Sequence, residues 1–297
     1  MLKKILKKDI LIILYSFVFI LLIITIGIKY SSNILKEEII NKQLKITELN
    51  SNFLAEELNS NINNIEIFIE NIASFIDLKK DQKTINNSLV YSLDKFPQIR
   101  SINIIKNEQI LYSSNTKNID FNIKGYDFLP KPLFNNNILR ISSSKIGRDV
   151  SSTLKDAVSF KKKFTTSFIP IIKDTFINNS KYSVMINLNS DYYINKFKNV
   201  DKDNNLTIQL LMINSQILLS TNNKDVIGEK IKSNSILEKG LEYNNATDIY
   251  NLNTHKSITS YTLTKDYPFI LGIHLDYEEG LLDWNEKSYQ FFIISSI

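Results

Sequence analysis

The residues able to do chemistry are few and scattered. His255 and His274 have no cysteine partners and no HExxH spacing around them, so a zinc site is not expected. The chain has no cysteine, which removes thiol nucleophiles, disulfides and thiolate metal sites in one step. Its 7 glycines form no GxSxG elbow, phosphate loop or dinucleotide fingerprint. Glu278 and Glu279 are adjacent carboxylates. Consecutive side chains on a strand or helix diverge, so the two read as a solvated charge pair. With no catalytic constellation, the sequence reads as a non-enzyme that needs no cofactor.

Composition narrows what is left. At 297 residues and 43% hydrophobic, the chain has enough apolar material for one large domain or two small modules, and it is not disordered. The net charge is +5, and Lys3, Lys4, Lys7, Lys8 and Asp9 supply +3 of it. The small remainder forms no basic stripe, so nucleic acid is not expected as a partner. The run Lys161-Lys162-Lys163 reads as a solvated turn.

The elements that must position any binding site begin with a membrane segment. Residues Ile10 to Ile28 carry no charge and are dominated by Ile, Leu and Phe. As a helix they span roughly 28 Å, about the hydrocarbon thickness of a bilayer. The lysines before them place the N-terminus in the cytoplasm and the chain after Lys29 outside. The rival reading is a signal peptide, whose apolar core is shorter and ends in a small-x-small site. Here Lys29-Tyr30-Ser31-Ser32-Asn33 leads instead into a helical pattern. At the far end Tyr289 to Ile297 opens a second apolar stretch, too short to cross a bilayer. It reads as the start of a second transmembrane helix, with a cytoplasmic part to follow.

Between them, Leu54, Leu58, Ile62, Ile65, Ile69, Ile72 and Ile76 recur at spacings of 3 and 4, one face of a long helix. Its later part is expected to pack on the following domain and its earlier part to form a dimer seam. After Ile76 the period becomes two. Ile99–Ile105 and Gln109–Tyr112 read as a hairpin, followed by strands at 138–142, 165–172 and 182–188 and a helical segment at 191–200. The pattern restarts with Leu206–Ile213, a turn at Asn214-Ser215 and Gln216–Ser220, then strands at 258–263 and 269–275. Two antiparallel sheets with the same opening predict two similar modules in sequence.

This order of elements resembles the double Cache family of extracellular sensor domains over nearly the whole chain. Ile146-Gly147-Arg148, followed by Phe168-Ile169-Pro170-Ile171-Ile172-Lys173, is similar to a segment of the family's distal module. Tyr182 to Leu188 sits where the last distal strand would lie. Asn214 to Ser220 resembles the hairpin of the proximal module, and Ile227-Gly228-Glu229-Lys230-Ile231 resembles the segment after that hairpin. The resemblance implies an α+β fold, in which a long N-terminal helix precedes two PAS-like antiparallel-sheet modules flanked by transmembrane helices. The expected divisions are a cytoplasmic N-terminus (1–9), transmembrane helix (10–28), signalling and dimerisation helix (29–76), membrane-distal module (77–200), membrane-proximal module (201–288) and the start of a second transmembrane helix (289–297).

The family binds small extracellular ligands, generally in the distal module. One subfamily reads amino acids with a Tyr, an Arg, further aromatics and an Asp on the last distal strand. The equivalents here are Tyr126, Lys131, Leu133, Phe134 and Asn187. Lys131 would still hold a carboxylate, without the two-pronged fork of arginine. Asn187 removes the anion that pairs with an ammonium, so the resemblance with these substitutions points to a carboxylate lacking an amine. Asp127, Arg140 and Arg148 complete the candidate ligand set. The blander readings are core aromatics for Tyr126 and Phe134, a loop lysine for Lys131, a turn for Asp127 and a surface pair for Arg140 and Arg148.

The function expected is therefore the sensor region of a homodimeric receptor in a bacterial plasma membrane, its sensor domain periplasmic or extracellular. A small-molecule ligand would act through the second transmembrane helix on a diguanylate cyclase, histidine kinase or chemoreceptor output. The alternatives are a membrane-anchored adhesion or scaffold domain without a small ligand and, disfavoured by the missing motifs, a periplasmic enzyme.

Overall fold

The computed structural model describes residues 2–76, 80–126, 128, 130, 138–153, 166–177, 180–200, 206–222, 226–232, 234–252 and 255–296. Helix α1 (Leu2–Phe75) runs unbroken for 74 residues, about 110 Å at 1.5 Å per residue. The segments expected to be a membrane span and a signalling helix are thus one rod, with no proline to break it. Among the described residues it is the one helix long and apolar enough to cross a membrane, and Leu14, Phe17, Val18, Leu21 and Ile24 stand exposed on it. Farther along, the row from Leu54 to Ile76 is buried, none of its seven members above 5% exposed. Each such side chain contributes roughly 1.5–3 kcal/mol by leaving water.

Helix α2 (Gln82–Leu93) follows, its Asp81 cap accepting from the Thr84 N–H at 3.0 Å. Strands β1 (Ile99–Lys106) and β2 (Gln109–Ser113) form the expected hairpin. Asn107 and Glu108 take positive φ, 51° and 63°, the left-handed pair that a two-residue hairpin turn requires. β3 (Arg140–Ile141), β4 (Lys145–Ile146), β5 (Ser167–Ile177) and β6 (Ser180–Asn189) complete a sheet ordered β2-β1-β6-β5-β3, with β4 also on β5. Helix α3 (Ser190–Lys198) leads out of it.

The second sheet is built from β7 (Leu206–Met212), β8 (Ile217–Ser220), β9 (Asn245–Leu252), β10 (His255–Leu263) and β11 (Phe269–Asp276), with α4 (Ser235–Tyr243) between β8 and β9. Its order, β8-β7-β11-β10-β9, repeats that of the first sheet strand for strand. Both sheets lay their inner faces on α1, and one apolar cluster joins Ile62 and Ile69 to Ile104 and Ile171 of the first and to Leu210 and Leu271 of the second. Short helix α5 (Tyr277–Gly280) and α6 (Leu282–Ser296) bring the chain back to α1. There the Trp284 indole N–H donates to the Ser32 carbonyl at 3.0 Å.

Candidate ligand-binding site

The first sheet has two buried faces of different chemistry. Ile102, Ile104, Ile169, Ile171, Val184 and Ile186 point to α1. The alternate positions point away from it. There Ile105, Phe168, Ile172 and Met185 pack with Ile123, Phe128 and Val150, and polar side chains stand among them.

Asn187 on β6 is fully buried. Its Nδ2 donates to Asp149 Oδ1 at 2.7 Å and to Ser101 Oγ at 2.9 Å. Asp149 also accepts from Ser101 Oγ at 2.9 Å, Asn115 Nδ2 at 2.8 Å and its neighbour's Val150 N–H at 2.8 Å. These donors are all neutral, and they supply the hydrogen bonds that a buried carboxylate requires. Asn187 Oδ1 has no hydrogen-bond partner among the described residues.

Arg140 lies on the same face. Its Nη2 donates to Asp174 Oδ1 at 2.6 Å and its Nη1 to the Pro130 carbonyl at 3.0 Å. Asp174 also accepts from Ser183 Oγ at 2.7 Å and pairs with Lys181 at 3.1 Å. Arg140 Nε is buried without a partner among the described residues. Arg140 pairs with Ile172 and Asn187 with Pro170, on opposite sides of β5. Two strand spacings and one two-residue step put their backbones about 12 Å apart. Tyr126 closes one side: its ring stacks on Phe128 with centroids 5.1 Å apart, and Phe128 stands 6.1 Å from Phe168.

Of the expected ligand set, Tyr126, Arg140 and Asn187 share this face. Arg148 does not join them. It is exposed, and its backbone serves the turn, the carbonyl accepting from Arg100 Nη1 at 3.0 Å and the N–H bonding Ser152 Oγ at 2.9 Å. Asp127, Lys131, Leu133 and Phe134 lie outside the described residues. Sequence reasoning missed Asp149 and Asp174. Asp174 was legible as the next outward position after Ile172 in a period-two run; Asp149 reaches the face from a loop and left no periodic signal. Asn187 itself carries no charge, but a carboxylate lies beside it, Asp149 Oδ1 at 2.7 Å from Asn187 Nδ2.

No protein-family model matches the sequence, and no curated protein matches it. Solved structures do match. The extracellular domain of rpHK1S-Z16, assigned as a histidine kinase, has a TM-score of 0.64 at 15% identity, over 82% of this chain and 99% of that one. The ligand-binding domain of the amino acid chemoreceptor PctB from Pseudomonas aeruginosa PAO1, solved with L-Arg, gives 0.59 at 11%, over 82% and 98%. Methyl-accepting chemotaxis protein X gives 0.58 at 7%, over 80% and 99%. Likeness at such identities speaks to fold and not to function. With its long helix and two sheets of one repeated strand order, the chain has the double Cache fold, that of the extracellular sensor domains of histidine kinases and chemoreceptors.

Proposed function

We propose that this chain is the extracytoplasmic sensor region of a transmembrane receptor in a bacterial plasma membrane, binding a small solute on the outer face of the first, membrane-distal module. The observation that carries this reading is a pair of polar atoms on one buried face that have no partner among the described residues, the acceptor Asn187 Oδ1 and the donor Arg140 Nε. Leaving such groups unpaired costs about 1–3 kcal/mol each. A solute with a carboxylate toward Arg140 and a hydroxyl or amine donor toward Asn187 satisfies both, against the aromatic wall of Tyr126 and Phe128. Two structural neighbours were solved with L-Arg and with GABA, molecules that carry both groups. Asp127, Lys131 and Phe134 belong to the same proposed set, on the segment that adjoins Tyr126 and Pro130.

Binding would shift the population of packing arrangements around β5, and α1 and α6 would carry the shift through the membrane to a cytoplasmic output of the histidine kinase, diguanylate cyclase or chemoreceptor kind. A homodimer through α1 is part of the proposal. Exposed Ile46, Leu49 and Phe53 supply an apolar row at spacings of 3 and 4.

The test is a thermal-shift screen of amino acids, hydroxy acids, carboxylates and amines on the full chain in lipid nanodiscs. A solute at 100 times its dissociation constant stabilises its site by about 2.7 kcal/mol. The expected hit is abolished by Arg140→Ala and by Asn187→Ala. Silence across the whole panel would sink the small-solute reading.

A further inference from the structure

The second sheet repeats the first one's layout, and its outer face is only half covered. Leu211, Tyr261 and Ile270 pack beneath α4 with Ile236 and Leu237. Beyond that helix, Gln209, Lys232, Tyr250, Ser257, Tyr261 and His274 are among the residues around a cavity of about 620 Å³. That volume falls within the range of small-molecule sites.

The floor of the cavity depends on specific residues. Gly272 faces Tyr261 across the β10–β11 ladder. A Cβ at Gly272 would come within 2.9 Å of Tyr261 Cε1, so the missing side chain lets the ring lie across β11. The ring meets the His274 imidazole edge-on, centroids 5.6 Å apart, and His274 Nδ1 lies 3.1 Å from Thr259 Oγ1. His274 stands two residues before Asp276, the cap of α5, and Asn187 stands two residues before Asn189, the cap of α3. The position that marks the solute face of the first module therefore has its counterpart on the floor of this cavity.

Charge selects the ligand. Among the described residues, the lining holds one carboxylate, Asp276, whose Oδ1 is engaged by the Glu278 and Glu279 N–H groups at 2.9 and 3.3 Å, against two ammonium groups, Lys256 and the exposed Lys232 at the rim. Tyr250 and Tyr261 offer flat apolar walls. We propose that this cavity is a second ligand site, for a small monocarboxylate whose anionic end meets Lys232 and whose body lies against Tyr250 and Tyr261.

The test is calorimetric titration of the full chain in nanodiscs with monocarboxylates from acetate to benzoate, and with inorganic phosphate. The expected result is binding of at least one carboxylate, weakened at least tenfold by Lys232→Ala and by Ser257→Trp, which fills the cavity, and unchanged by Arg140→Ala. In parallel, the His274 imidazole ¹⁵N signals shift on addition of that carboxylate. Binding lost in Arg140→Ala and untouched by Lys232→Ala would assign the ligand to the first module and overturn the proposal. So would phosphate binding tighter than every carboxylate, or no binding at all. Failure of the first-module site leaves the Lys232 dependence readable, so the two outcomes are separable.

Discussion

Lys173 of the first sheet and Tyr267 of the second module bind opposite oxygens of one carboxylate, that of Glu66 on α1. The Lys173 ammonium lies 2.6 Å from Glu66 Oε1 and the Tyr267 hydroxyl donates to Glu66 Oε2 at 2.8 Å. Lys173 reaches Glu70 at 2.6 Å as well. Burial works to lower the lysine pKa, but hydrogen bonds and charge from Glu66 and Glu70 outweigh it and leave it raised. Lys173 and Asp174 are consecutive on β5 and point to opposite faces. One strand thus touches the proposed solute face through Asp174 and the second module through Lys173, Glu66 and Tyr267.

This linkage is measurable in urea unfolding. Tyr267→Phe and Lys173→Met are each expected to destabilise the chain by about 1–3 kcal/mol. Because they share Glu66, the double variant should depart from additivity by about 0.5 kcal/mol or more. Strict additivity would mean that Glu66 does not couple the modules.

Asn187 and Asp149 give a prediction with a definite pH sign. Asn187→Asp would put a second carboxylate where Nδ2 now sits 2.7 Å from Asp149 Oδ1. Two carboxylates that close share a proton, and the folded pKa of one rises. A raised acid pKa means the folded state holds the proton longer, so the variant loses stability as pH climbs above about 4. A rise of two units corresponds to about 2.7 kcal/mol. Melting temperatures of variant and parent should lie close near pH 4 and diverge by pH 7.

His274 works in the opposite direction. Burial pushes its pKa down to about 4, with the Thr259 hydroxyl and the Tyr261 ring facing it. A histidine depressed on folding contributes stability that is complete above its unfolded pKa of about 6.5 and is lost as pH falls toward the folded value. Melting temperature should drop between pH 6.5 and 4, by the equivalent of about 1–3 kcal/mol. His274→Gln should flatten that slope.

The sequence showed the elements whose pattern is strong and missed those whose pattern is weak. The buried row on α1 and the opening strands of both modules carry long apolar periodicities, so α1, β1, β2, β7 and β8 were readable. β9 was not: its Asn245, Asp248 and Asn251 are poor strand formers, held in place by pairing along β10. α4 was also missed, although Asn234 caps it through the Ile236 and Leu237 N–H groups. The candidate site was half legible for the same reason. Asn187 and Arg140 lie on strands, while Asp149 is delivered by a loop whose place only tertiary packing defines.

The dimer proposed for α1 has a direct test. Ile46, Leu49 and Phe53 are 40%, 53% and 57% exposed, on a helix whose buried row faces the sheets. Leu49→Lys with Phe53→Lys should leave melting temperature nearly unchanged, since neither side chain is in the core. The mass of the detergent-solubilised full chain by sedimentation should fall from dimer to monomer. A monomeric parent, or a variant that stays dimeric, would remove this face from the interface.

A small polar cluster ties α6 back to α1. The Ser32 and Ser288 hydroxyls lie 3.2 Å apart, beside the Trp284 bond to the Ser32 carbonyl and with the Lys36 ammonium 4.8 Å over the Trp284 ring. α1 and α6 are thus joined where α1 leaves its exposed apolar stretch, and a signal carried by their relative displacement must pass this point. The chain has no cysteine, so Ser32→Cys with Ser288→Cys introduces the only two thiols. Side chains this close are within reach of a disulfide. Mild oxidation should link them within one chain, seen as a faster-migrating monomer band on non-reducing gels. With the solute of the first module bound, a sensor that moves α6 against α1 should change the rate of that linkage. A rate indifferent to bound solute would mean that the signal does not travel as displacement between these two helices.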